Sequence, residues 1–122
     1  MIVNGGLTWV RDRLGGTSND ITHLGVGTGT TAAVEGDTAL GTEVYPDAAD
    51  RNAATGSSPS SYKRRYVMTL AAGDANGSTL TEVGAFTAAT AGTMILRQVH
   101  TGIAKTVDIS VKYQIDVTIG RA

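Results

Sequence analysis

The chain has no cysteine, two prolines and few aromatics: one tryptophan, one phenylalanine and four tyrosines in 122 residues. The absence of cysteine excludes disulfides, thiolate metal sites and thiol nucleophiles, leaving packing and assembly as the sources of stability. Positive charge is not in excess, since ten Lys and Arg face eleven Asp and Glu. A general electrostatic hold on nucleic acid is therefore not expected. No run approaches the roughly 20 apolar residues of a membrane span, and residues 1–16 lack a charged, then apolar, leader pattern. A soluble, unexported product is the expectation, with enough chain for one domain and not for two of ordinary size.

What the sequence does have is Gly, Ala and Thr, with Val- and Thr-rich stretches separated by turn formers, and this predicts an all-β protein. Residues 107–119 alternate apolar and polar without a break. As one strand they would extend about 40 Å, long enough to cross a whole sheet or to reach a neighbouring chain. Residues 21–27, 62–72, 80–87 and 93–101 read as further strands, the last strand starting at 106. Asp74-Ala75-Asn76-Gly77 supplies turn chemistry after the second of these and is expected to close a hairpin. Five or more strands without intervening helices predict an antiparallel β-sandwich or open barrel, jelly-roll or Ig-like.

Alternation nominates Val67, Leu70, Val83, Phe86, Ile95, Val99, Ile109, Val111, Tyr113, Ile115 and Val117 as core. Leu7, Val10, Arg11 and Leu14 recur at helical spacing between Gly5-Gly6 and Gly15-Gly16. Residues 1–20 are thus expected to form an amino-terminal arm with a short helix, and residues 21–122 a single β-domain. Residues 28–61 have no sustained period and read as one long Gly/Thr/Ala-rich loop with a helical turn near 38–40.

Chemical motifs fail in informative ways. Gly25-Val26-Gly27-Thr28-Gly29-Thr30 follows a strand, but a dinucleotide fingerprint needs glycine where Thr30 stands, and no helix pattern follows to meet a phosphate. Asp74-Ala75-Asn76-Gly77 opens like a calcium loop, but the closing glutamate is missing. His23 and His100 are the only imidazoles, with no third ligand to nominate, and no Gly-x-Ser-x-Gly elbow marks a nucleophile. No catalytic, cofactor or metal residue is assigned, and a non-enzymatic module is expected.

Contacts between subunits are the remaining candidates. Trp9 lies off the helical stripe and either closes the core or docks on a partner. Glu35, Asp37, Glu43, Asp47 and Asp50 come without a base, and Arg51, Lys63, Arg64 and Arg65 follow without an acid. These blocks are either solvated or paired between neighbouring subunits, where complementarity fixes register. Tyr45 joins this candidate set. Tyr62-Lys63-Arg64-Arg65-Tyr66 interleaves aromatic and basic residues as base-stacking surfaces do, but it is one short cluster and reads as a protected strand edge.

Four segments carry a family resemblance: "GTGTT" (residues 27–31), "GDTALGTEV" (36–44), "LTEVGAF" (80–86) and "GTM" (92–94), followed by Lys105-Thr106 before the final strand. In order and spacing this resembles small virion proteins of tailed bacteriophages described as tail fibre proteins, and the likeness runs from Ile21 onward. The chain departs from that group at Tyr45-Pro46, where Ala-Arg is usual, and at Tyr113, where Trp is frequent. The resemblance implies a non-enzymatic building block assembled in the host cytoplasm into the virion, without cofactors, binding other virion proteins and itself as a homo-oligomer. No shaft-forming repeat is present. The implied role is therefore a compact unit of the tail fibre base, tail tip or baseplate, with a capsid decoration protein and a module that binds a host surface receptor as alternatives.

Overall fold

Lys63–Leu70 and Val111–Thr118 show how alternation becomes a sheet: Tyr66, Met68 and Leu70 turn inward opposite Ile115, Tyr113 and Val111, while Arg65, Val67 and Thr69 turn outward opposite Asp116, Gln114 and Lys112. The computed structural model describes residues 1–17, 19–46 and 50–121. In chain order its elements are α1 (Asn4–Leu14), β1 (His23–Gly27), β2 (Glu43–Val44), β3 (Asn52–Ala53), β4 (Thr55–Ser60), β5 (Lys63–Leu70), β6 (Thr79–Phe86), β7 (Met94–Ala104) and β8 (Val111–Thr118). Two antiparallel sheets result, confirming the all-β expectation. One runs β2-β1-β6-β7 with β3 also on β1, and the other runs β4-β5-β8.

The main core lies between the sheets. Leu24 and Val26 of β1, Leu80 and Ala85 of β6, and Leu96 of β7 meet Tyr66, Met68, Leu70 and Val111, with Tyr113, Ile115 and Val117 packed against them. A smaller cluster of Val3, Leu40, Phe86 and Met94 forms separately. Each fully buried Leu or Val contributes on the order of 1.5–3 kcal/mol, so this core is the main source of stability.

The amino-terminal arm packs on its own domain. Val3 is buried and takes an amide bond to the Ile95 carbonyl, and Met1 exchanges two bonds with Arg97, so the first residues extend the edge of β7. Helix α1 then lies along β7 through its glycines, where a Cβ on Gly6 would collide with the Ile95 carbonyl oxygen. The helix ends because Gly16 takes φ +72°, which lets Gly16 and Thr17 bond back to Arg13 and Asp12. Arg11 and Arg13 sit favourably in that last turn.

Several expectations need correction. Residues 28–61 contain β2, β3 and β4, and no helical turn forms at 38–40. The turn over 74–77 links β5 to β6 in different sheets, so it crosses the sandwich and closes no hairpin. The last strand starts at Val111: Val107 and Asp108 form a turn in which Ile109 N–H bonds Thr106 C=O. Ile109 is consequently exposed, Val99 is only half-buried, and Val67 is half-buried on the outward face of β5, opposite to Leu70. Leu70, Val83, Phe86, Ile95 and Val111 are buried as expected, and Tyr113, Ile115 and Val117 are half-buried.

Candidate functional site

On the outer face of the larger sheet, glycines at 25, 27 and 84 clear a floor on which charged side chains can lie. Building a Cβ on Gly29 would bring it within 2.6 Å of Glu82 Oε1, and one on Gly84 within 3.0 Å of Leu40. Glu82, fully buried on β6, accepts the amides of Thr42 (2.8 Å), Gly29 (3.0 Å) and Gly41 (2.9 Å) and Nε of Arg97 (2.9 Å). Arg97, equally buried on β7, also donates to Asp37 Oδ2 (3.0 Å) and to the Thr31 carbonyl (2.9 Å). The segment between β1 and β2 is thereby strapped over the sheet by one buried ion pair.

The charges at this clamp are stabilised where they are. Burial by itself would raise the Glu82 carboxyl, but the amides of Thr42 and Gly41, with Arg97 and Gly29, outweigh it and hold the group below its ordinary value. Asp37 is also held low, first by the Val34 amide and then by Arg97. A carboxylate so fully ligated by its own chain is a poor general acid. The segments "GTGTT", "GDTALGTEV" and "LTEVGAF" therefore converge on one place in space. Gly29, Thr31, Asp37, Gly41, Thr42 and Glu82 of those segments make the clamp.

A second lock stands beside it. Arg51, 6 % exposed, forks onto Glu43 through Nε (2.5 Å) and Nη2 (2.9 Å), while Nη1 donates to the carbonyls of Ala88 (3.1 Å) and Ala91 (2.8 Å). Its guanidinium lies 3.5 Å from the Phe86 ring centre and 6.0 Å from that of Tyr45. A third cation, Lys105, is buried and gives its ammonium to Ala72 C=O, Asn76 Oδ1 and Thr106 C=O. One of these oxygens, Asn76 Oδ1, belongs to the turn that opens like a calcium loop, in which Asp74 caps Ala71 N–H and holds Asn52.

The candidate contact residues divide accordingly. Glu43 and Arg51 pair with each other inside one chain. Arg65 forks onto Asp116 (2.8 and 3.0 Å), with Lys63 3.8 Å away, and Arg64 reaches Asp20 at 3.4 Å. These basic residues also find acids at home, though near the surface, where such pairs contribute roughly 0–1 kcal/mol. Trp9 is half-buried, packs against the main core and donates Nε1–H to the Asn19 carbonyl at 2.6 Å. Tyr45 and Asp50 are exposed, and Asp47 lies outside the described residues.

Neither histidine is close to a metal site. Thr22 Oγ1 bonds His23 Nδ1, and His100 lies between the Thr101 carbonyl and the Tyr113 hydroxyl, whose pKa burial pushes up to about 12. Among the described residues no three acidic, His or Cys groups gather to hold a metal, and no helix is long and apolar enough to cross a membrane. Sequence reasoning missed Glu82, Arg97 and Lys105. The available signal was a lone charge in an apolar strand segment: Glu82 within residues 80–86, and Arg97 directly after Met94, Ile95 and Leu96. Comparison with family models, curated proteins and solved structures found no match.

Proposed function

We propose that this chain is a non-enzymatic structural subunit of a tailed-phage virion, a tail fibre, tail-tip or baseplate component that assembles with other virion proteins. The observation that carries this reading is the outward face of α1. The helix is docked by Gly5, Gly6 and Trp9, so its apolar stripe is turned to solvent, with Leu7 62 % and Leu14 86 % exposed and Val10, Met1 and Ile2 also open. An apolar stripe held rigidly on the surface is suited to burial in an assembly. The buried locks give the body a fixed shape with few movable parts, as a repeated structural unit requires. The motif resemblance agrees with this use, because its residues maintain the shape instead of forming a pocket for a substrate.

Capsid decoration is the second reading, favoured by a compact body without the repeat of a fibre shaft. Replacing Leu7, Val10 and Leu14 together by Glu tests the common element. The expected result is a folded chain with an unchanged circular dichroism spectrum that is no longer incorporated into particles. Normal incorporation would remove the observation on which the proposal rests. Mass spectrometry of separated heads and tails from wild-type particles then distinguishes the two readings.

A further inference from the structure

Among the described residues four sheet edges are present, and three are blunted. The edge of the larger sheet at β2 and β3 consists of two-residue strands; its other edge, at β7, is overlaid by Met1 to Val3 along residues 95–97 and beyond them carries a register shift and Gly102; and β4 carries Pro59 and a register shift. Such features are how sheets avoid joining other strands. Edge strand β8 has none of them: eight residues, without proline, glycine or bulge. Ile119, just beyond it, donates its N–H to the Tyr62 carbonyl of the β5 side at 2.8 Å. Amides alternate sides along a strand, so the N–H and C=O groups of Lys112, Gln114 and Asp116 point away from β5. Beside this edge runs a groove of about 460 Å³ lined by Met1, Ile2, Leu96, Tyr113, Ile115 and Val117, among others.

We infer that β8 is a homodimer edge, pairing antiparallel with β8 of a second copy about a two-fold axis through Gln114. The partner is identified by self-complementarity. Val111-Lys112-Tyr113-Gln114-Ile115-Asp116-Val117 is symmetric about Gln114 in apolar and polar character and antisymmetric in charge. Centred there, Lys112 faces the partner's Asp116 in both halves, Tyr113 faces the partner's Ile115, and Val111 faces the partner's Val117. Moving the axis to residue 113 or 115 sets Lys112 against glutamine or threonine and loses both charge pairs.

Lys112 is exposed and makes no ion pair among the described residues, so its ammonium is open to an acid of a second copy. A mid-strand lysine rejects edges that offer no acid at that position, which makes the edge selective as well as sticky. Asp116 already holds Arg65, so each row across the joined sheet reads Arg65, Asp116, the partner's Lys112, alternating in sign. The product is the three-stranded sheet doubled into one continuous sheet, an isologous contact of the kind that most homodimers use. This inference rests on the sheet edge alone and is independent of the virion proposal.

Sedimentation velocity of the full chain from about 1 µM to about 1 mM tests it. A concentration-dependent dimer is expected, and a monomer throughout would overturn the inference. Lys112→Asp and Asp116→Lys should each weaken the dimer about tenfold or more, because each sets like charges opposite one another. Mixing the two variants restores both opposite-charge pairs and should recover a heterodimer of about wild-type affinity, whereas a mixture no tighter than its components would refute the register. Gln114→Pro removes one outward amide and leaves the β5 ladder intact. It should give a folded monomer, and a folded protein that still dimerises would exclude β8 as the interface.

Discussion

Replacing Glu82 by Gln alters no volume and removes one charge, so its cost can be worked from the four hydrogen bonds the carboxylate accepts. Whichever way the amide turns, its NH2 faces two donors: either the Gly29 and Thr42 amides, or the Gly41 amide and Arg97 Nε. A buried donor left unsatisfied costs about 1–3 kcal/mol, which gives about 2–6 for two. Breaking a buried ion pair from one side costs about 3–5 kcal/mol by direct measurement in other proteins. The two routes agree on about 3–5 kcal/mol, a large part of the 5–15 kcal/mol or so that stabilises a domain of this size. Urea denaturation should show that loss with an unchanged slope, and thermal melting a fall of about 10–20 °C. Amide exchange should quicken at Gly29, Gly41 and Thr42 before the strands are affected. A loss below about 1 kcal/mol, or one without faster exchange at those three amides, would refute the account of the clamp.

Arg51→Lys keeps the charge but loses the fork onto Glu43 and the flat contact with Phe86, and is expected to cost about 2–4 kcal/mol by denaturant titration, nearly as much as Arg51→Met. Gly6→Ala should destabilise by about 2 kcal/mol or more because α1 must lift off β7, whereas Gly36→Ala, with open space around it, should change stability by less than about 0.5 kcal/mol. Glu82 and Asp116, the latter through its bond to Arg65, titrate below their ordinary values in the folded chain. The unfolded chain therefore takes up protons first, so their stabilisation is complete above about pH 4.5 and is lost as pH falls through the lowered folded values. Denaturation midpoints measured across that range should fall with acid, and less steeply in Glu82→Gln; equal slopes would count against Glu82 as a contributor.

The long strands were legible because each has one wet face. In β5 and β8 the outward Arg65, Lys112 and Asp116 alternate with inward apolar residues, and period two follows directly from the pleat. β4 was illegible for the converse reason: Thr55-Gly56-Ser57-Ser58-Pro59-Ser60 is exposed on both faces and has no alternation to show. Alternation also overran its strand. Val107 and Ile109 keep the parity of β8 although the backbone turns at Val107 and Asp108, because the pattern reports side-chain chemistry and not backbone direction. For the helix, periodicity found the residues but its stripe faces outward, since docking through Gly5 and Gly6 lets the backbone itself approach β7. At the clamp, Glu82 and Arg97 lie 15 positions apart and meet Gly29 and Asp37 only through the fold, so their pairing could not be read from local spacing.

The most direct test of the proposed virion role is cryo-electron microscopy of particles purified from cells that produce this chain. Density fitting the two-sheet body at the tail tip, baseplate or fibre base, with Leu7, Val10 and Leu14 buried against a neighbouring subunit, is the predicted result. Density over the capsid lattice would transfer the role to decoration, and particles that lack the chain altogether would contradict the account.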